Sequence, residues 1–113
     1  MKIASVFITS IMWCSLAFAG QSSPLITAIN ARCAAKWGDN YRMQKYCRNK
    51  EMEGIFAFNA YVAKHKVNTP AGNESPQGKI VYHCWLKWTD EHGRLWSMVA
   101  YCIRQQDEAL RSL

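Results

Sequence analysis

The sequence predicts an all-α fold made of two tandem αα-hairpins, each closed by a disulfide. Three observations predict it. An even number of cysteines remains once an N-terminal signal is set aside, a Cys-Trp-Met-Cys pattern occurs twice, and the residues around it recur at helical spacing. The chain has 113 residues, half of them apolar. That length fits one domain and excludes a (β/α)8 barrel or a dinucleotide-binding α/β enzyme.

Residues 1–19 have the pattern of an export signal. Lys2 gives a positive start, an uncharged run follows from Ile3 to Phe18, and Ala17 and Ala19 supply small residues at positions −3 and −1 of a cleavage site. The run is shorter than the ~20 residues that a membrane-spanning helix needs. An uncleaved membrane anchor is the alternative. We therefore expect a mature chain of residues 20–113, periplasmic or secreted, with no transmembrane segment after cleavage.

The cysteines of the predicted mature chain indicate disulfides. Cys14 is lost with the signal, and four cysteines remain: Cys33, Cys47, Cys84 and Cys102. Even cysteine numbers in small exported domains are typical of disulfide bonding. A zinc site is the alternative, but the sequence has no C-x2-C or H-x3–5-H pair. We expect no metal and no cofactor.

The cysteine spacing reveals an internal repeat of two copies, about 24–67 and 79–113, joined by a Pro- and Gly-containing linker at 68–78. The first copy carries Cys33, Trp37, Met43, Cys47 and Glu51, and the second carries Cys84, Trp88, Met98, Cys102 and Gln106. The offsets agree except for four extra residues between Trp and Met in the second copy. The repeat indicates that both copies have one structure.

Helical spacing runs through both copies. Met43, Cys47, Glu51, Gly54, Phe58, Val62 and His65 are three or four residues apart, as are Met98, Cys102, Gln106, Ala109 and Leu113. In the first copy a preceding helix covers Pro24 to Lys36, Gly38 stops it, and Asp39-Asn40 caps the next one. Each copy is therefore predicted to be an αα-hairpin.

The hairpin geometry selects the disulfide pairing. Cys33 and Cys47 lie at similar distances from the turn of the first hairpin, and Cys84 and Cys102 match them once the extra residues are placed in the second turn. The predicted pairs are Cys33–Cys47 and Cys84–Cys102. On the chain-entropy model each contributes about 3 kcal/mol.

Composition favours a different structure for the second copy. Residues 79–103 are rich in Val, Ile, Tyr and Trp, and Asp90 to Gly93 could form a tight turn. This pattern predicts an α+β fold with a β-hairpin at 79–103. The repeat favours helices instead, because the first copy has a helical composition.

The pattern C-x3-W-x5-M-x3-C-x3-[EQ] of residues 33–51 resembles uncharacterised small exported bacterial proteins in which this pattern is repeated. The resemblance covers both copies. It implies a helical, disulfide-bonded periplasmic protein, and it supplies no catalytic residues.

No set of neighbouring residues predicts a reaction. His65, His83 and His92 lack a sequence-local carboxylate and nucleophile, so we name no catalytic residue. Glu51 and Gln106 fall on the helical stripe, which predicts that both are partly buried and hydrogen-bonded, with the indole N–H of the same repeat as the expected donor. A functional carboxylate at Glu51 is the alternative.

Charge is unevenly distributed along the predicted mature chain. Residues 20–67 hold eight basic and three acidic residues, whereas residues 68–113 hold five of each. The candidate anion- or partner-binding residues of the first copy are Arg32, Lys36, Arg42, Lys45, Arg48 and Lys50. A merely solvated helix face is the alternative. Trp85 and Trp96 have no tryptophan equivalents in the first copy, so we expect them to form exposed aromatic contacts.

These observations favour a non-enzymatic exported binding or interaction protein, of the inhibitor or immunity type. The expected partner is another protein or an anionic component of the cell envelope. Nucleic acid is not expected, because the chain is exported and carries no nucleic-acid-binding motif. A small secreted hydrolase or toxin that uses a histidine is the alternative function.

Overall fold

The computed structural model describes residues 23–113, so the predicted export signal lies outside the described residues. Five helices and two very short strands follow one another along this part of the chain. They are α1 (Pro24–Trp37), α2 (Tyr41–Lys64), α3 (Pro70–Glu74), α4 (Pro76–Lys87), β1 (Thr89–Asp90), β2 (Gly93–Arg94) and α5 (Trp96–Arg111). The predicted mostly helical fold is confirmed.

Four of the five helices begin at a side-chain cap that the sequence supplies. Ser23, Asn40, Thr69 and Ser75 each accept a hydrogen bond from the backbone N–H three residues later. Proline occupies the first position of α1, α3 and α4, where no N–H is needed. The predicted cap at Asn40 is confirmed. Helix α5 differs, because its N-cap residue Leu95 has no capping side chain.

Disulfides close the two predicted hairpins. Cys33 and Cys47 join α1 to α2 with their Cα atoms 5.7 Å apart, and Cys84 and Cys102 join α4 to α5 at 5.6 Å. Both distances lie in the range that disulfides require. Helix α2 also packs against α5, so the helices follow the spatial order α1, α2, α5, α4. The predicted pairing is confirmed.

The composition of residues 79–103 predicted a β-hairpin, and this prediction is wrong apart from the turn. Helix α4 continues to Lys87, and only two residues on each side of the turn form an antiparallel pair, with Thr89 opposite Arg94. Val81 and Cys84 are buried from one face of α4. Packing of that face overrides the strand propensity of its residues, which depends strongly on context.

The segment 68–78, expected to be a linker, is folded. It contains α3 and the first turn of α4. Gly72 is buried there, and a Cβ atom at this position would lie 1.8 Å from the carbonyl oxygen of Lys66. The connection between the hairpins is therefore tightly packed against the end of α2.

The core lies where the two hairpins meet. Val99, Cys33 and Cys84 are fully buried. Phe58 of α2 packs edge-to-face against Trp96 of α5, with ring centroids 5.2 Å apart. Among residues 23–113, none of the helices is both long and apolar enough to cross a membrane.

Gly54 allows α2 and α5 to approach closely. A Cβ atom at this position would lie 2.4 Å from the carbonyl carbon and oxygen of Trp96 and 2.7 Å from the Ser97 nitrogen. These are backbone atoms at the start of a helix, so they cannot move aside as a flexible side chain can. The absence of a side chain at Gly54 thus sets the distance between the two hairpins.

We expect Gly54→Ala to destabilise the protein by at least the ~1–3 kcal/mol that overpacking costs. Helix propensity alone predicts the opposite sign, a gain of about 1 kcal/mol. Urea unfolding of the oxidised protein measures the change. Asn59→Ala, at an exposed position of α2, is the control and should stay within about 0.5 kcal/mol. A more stable Gly54→Ala variant would show that the close approach is not needed.

Candidate functional site

A buried carboxylate from the first hairpin caps a helix of the second. Glu51 is only 5% exposed. Its Oε2 accepts a hydrogen bond from the Trp96 backbone N–H at 2.6 Å, and its Oε1 accepts from the Ser97 hydroxyl at 2.6 Å and the Ser97 N–H at 3.3 Å. These N–H groups open α5, whose positive helix end favours a negative charge. Glu51 thus replaces the cap that Leu95 cannot provide.

The structure corrects two expectations about the polar stripe positions. Glu51 is hydrogen-bonded as predicted and is more fully buried than the partial burial expected, but its donors are backbone and hydroxyl groups of the other hairpin, not the indole of Trp37. Gln106, the matching residue of the second copy, is exposed. It borders a shallow cavity with Pro76 and Ile80, at the start of α4. The two positions therefore have different environments.

A cavity of about 680 Å³ lies beside this contact, between α1 and the N-terminal end of α5. We call it the α1–α5 groove. Its apolar lining is Ala28, Ala31, Ala35, Cys47, Leu95 and Met98, and its polar lining is Arg32, Lys36, Glu51, His92 and Ser97. The alanines follow α1 at spacings of three and four residues. This signal was present in the sequence but was missed in predicting the sites.

The α1–α5 groove brings a histidine, a serine and a carboxylate together without a catalytic geometry. The Ser97 hydroxyl donates to Glu51, whose oxygens also hold the helix N–H groups. His92 is exposed, with its Nε2 3.4 Å from a carboxylate oxygen of Glu91. Within the described chain no hydrogen bond joins His92 to Ser97, as a base and nucleophile pair requires. Glu51 and Ser97 are thus engaged with each other at the start of α5.

The other histidines lie elsewhere. His65 is half-buried, and its ring packs at a tilt against Tyr61 with ring centroids 4.4 Å apart, while His83 is exposed on α4. In residues 23–113, no three His, Cys, Asp or Glu side chains are grouped closely enough to hold a metal ion.

Arg32 connects α1 to the turn of the second hairpin through an ion pair and hydrogen bonds. Its guanidinium donates to both carboxylate oxygens of Asp90, at 2.5 and 3.2 Å, and to the Gly93 carbonyl oxygen at 3.0 Å. The hydrogen bonds from Arg32, and then from the His92 N–H, lower the pKa of Asp90. Arg32 is therefore already paired within the fold, in contrast to a free anion-binding residue.

The remaining candidate cations fall into separate groups. Lys36 borders the α1–α5 groove. Lys50 pairs with Glu53 at 3.3 Å. Arg42 is exposed near the start of α2. Lys45 and Arg48 line a polar cavity of about 230 Å³ with Asn30, Tyr41 and Gln44, and with Cys33 at its wall.

This polar cavity, which we call the cationic cavity, contains two basic groups without an acidic partner. Among residues 23–113, neither Lys45 nor Arg48 forms an ion pair. The Tyr41 hydroxyl and the Asn30 amide add hydrogen-bonding groups that suit an oxyanion. The geometry therefore supports anion recognition at this point of the first hairpin.

The expectation of exposed aromatic contacts is wrong for Trp96. That side chain is 7% exposed, because it packs into the core against Phe58 and Trp85. Trp85 is half-buried, and the Arg94 guanidinium lies 3.5 Å from the centroid of its ring. Burial lowers the pKa of Arg94. Trp85 and Trp96 thus belong to the edge of the core, where the Arg94 side chain covers the Trp85 ring.

No protein-family model matches the chain, and no curated protein or solved structure was found to match it. The groove and the cavity are therefore assigned from their geometry and chemistry.

We expect Glu51→Ala to lower the free energy of unfolding by about 3 kcal/mol, because it removes charge-assisted hydrogen bonds and leaves buried N–H groups without an acceptor. Gln106→Ala, at the matching exposed position, should change it by less than about 0.5 kcal/mol. Urea unfolding with both disulfides intact gives the comparison. Equal effects of the two variants would refute the capping role of Glu51.

Proposed function

We propose that the protein is a non-enzymatic exported binding protein whose first hairpin recognises an anionic partner. The observation that carries the proposal is the cationic cavity, where Lys45 and Arg48 lie beside Tyr41 and Asn30 without an acidic partner among the described residues. The two disulfides support an oxidising compartment, and with the predicted signal they favour the periplasm or secretion.

Most basic side chains of the first hairpin have no acidic partner among the described residues. Of the three acidic residues of this hairpin, Glu51 is turned inward onto α5, Glu53 pairs with Lys50, and Asp39 is exposed in the turn between α1 and α2. In the second hairpin, Asp90 is neutralised by Arg32 and Asp107 pairs with Arg111. Arg42, Lys45 and Arg48 form no ion pair among the described residues, and neither do Lys36, Lys64 and Lys66. This unpaired positive charge can attract an anionic surface.

The chemistry of the cationic cavity suits a carboxylate, phosphate or sulfate group. An arginine offers a planar fork to such a group, and a lysine adds a point charge. An acidic protein or an anionic component of the cell envelope would present these groups. Recognition of an acidic protein surface fits a role of the inhibitor or immunity type.

The alternative of a histidine-dependent hydrolase or toxin has one observation in its favour, since His92 and Ser97 line the same groove. The Ser97 hydroxyl is bonded to Glu51 and His92 faces Glu91, so the groove lacks a positioned base. The binding function is the better supported of the two.

Replacing Lys45 and Arg48 together with glutamine should weaken binding to immobilised polyglutamate and to phosphatidylglycerol vesicles about tenfold at low salt. The loss corresponds to two ion pairs of about 0.5–1 kcal/mol each. Binding of the unchanged protein should fall steeply as salt rises, because the Debye length shortens. Retention of each probe at low and physiological ionic strength measures both effects.

The matched control is Lys79→Gln with Lys87→Gln, which removes two charges from exposed positions of α4. This control should bind almost as well as the unchanged protein. Equal losses in the two double variants, or binding that does not respond to salt, would contradict the proposal.

A further inference from the structure

Three separate interactions hold the walls of the α1–α5 groove in place. The Cys33–Cys47 disulfide fixes α1 to α2, Arg32 fixes α1 to Asp90 in the second turn, and Glu51 fixes α2 to the start of α5. Because both walls are anchored, the groove cannot close by a simple shift of α1. Binding sites for small molecules are usually preformed in this way, with volumes of about 300–1,000 Å³.

Apolar side chains face one another across the groove. Ala28, Ala31 and Ala35 form the α1 wall, and Leu95 and Met98 form the wall at the start of α5. From Ala28 to Lys36 the α1 wall extends about 12 Å, at ~1.5 Å per residue. An extended hydrocarbon chain of medium length would bury its surface along this wall, which is the favourable term in such binding.

The charged groups of the groove favour an anionic head group. Of the four charged or titratable side chains in the lining, Arg32, Lys36 and His92 are basic, and the acidic one, Glu51, is held by the N–H groups of α5. Arg32 is paired with Asp90, whereas Lys36 is exposed at the end of the alanine wall. Lys36 is thus placed to meet an anion whose tail lies along the alanines.

We propose that the α1–α5 groove binds a single-chain amphiphile with an anionic head group, its hydrocarbon chain between the alanine wall and Met98 and its head at Lys36. This site shares no lining residue with the cationic cavity. It is therefore a second candidate site, separated from the cationic cavity by the Cys33–Cys47 disulfide, one cysteine of which borders each site.

The test uses decanoate as the probe, below its micelle concentration, with the mature, oxidised chain and titration calorimetry. Ala31→Trp fills the groove and should weaken decanoate binding at least tenfold. Ala34→Trp is the matched control, because Ala34 is also exposed on α1 but does not line the groove, and it should bind like the unchanged protein. Equal binding by the two tryptophan variants would overturn the proposal.

The head-group assignment is tested with Lys36→Gln, a surface change that leaves the walls intact. This variant should bind decanoate severalfold more weakly, and the unchanged protein should prefer decanoate to decyltrimethylammonium. The double variant of Lys45 and Arg48 should bind decanoate normally. No preference between the two probes, together with no effect of Lys36→Gln, would refute recognition of an anionic head.

Discussion

The capping of α5 by Glu51 is the interaction on which the arrangement of the two hairpins depends. Each disulfide closes one hairpin, and neither links the two. Helix α5 begins at Trp96, and its N-cap residue Leu95 has no capping side chain, so its first N–H groups need an acceptor from elsewhere. Glu51 supplies it, and Gly54, one turn later on α2, leaves room for the α5 backbone to reach it.

Both candidate sites follow from this contact. Because Glu51 points into the interface, its negative charge does not offset Lys45 and Arg48 on the outside of the same hairpin. The same contact fixes Leu95 and Met98 opposite the alanines of α1, so that an open groove remains between them. A single buried carboxylate therefore shapes an apolar site on one side of the hairpin and leaves a cationic one elsewhere on it.

Features that depend on local spacing could be predicted from the sequence, whereas those that depend on contacts between the hairpins could not. The cysteine offsets and the helical stripe predicted the two hairpins and their disulfides, because both ends of each contact lie in one short segment. Glu51 was predicted to be partly buried, but its partners are mainly backbone groups, which the sequence does not distinguish. Pro70 and Pro76 were interpreted as linker residues, although proline after Thr or Ser also starts helices. The burial of Trp96 depends on its distant partner Phe58.

Hydrogen exchange at the Trp96 amide tests the central claim most directly. In the unchanged protein this amide should be strongly protected although it lies in the first turn of a helix, because Glu51 accepts its hydrogen bond. In Glu51→Ala it should exchange at least tenfold faster, while the Met43 amide, capped by Asn40 within the first hairpin, should keep its rate. A Trp96 amide that exchanges equally fast in both proteins would contradict the claim that Glu51 caps α5.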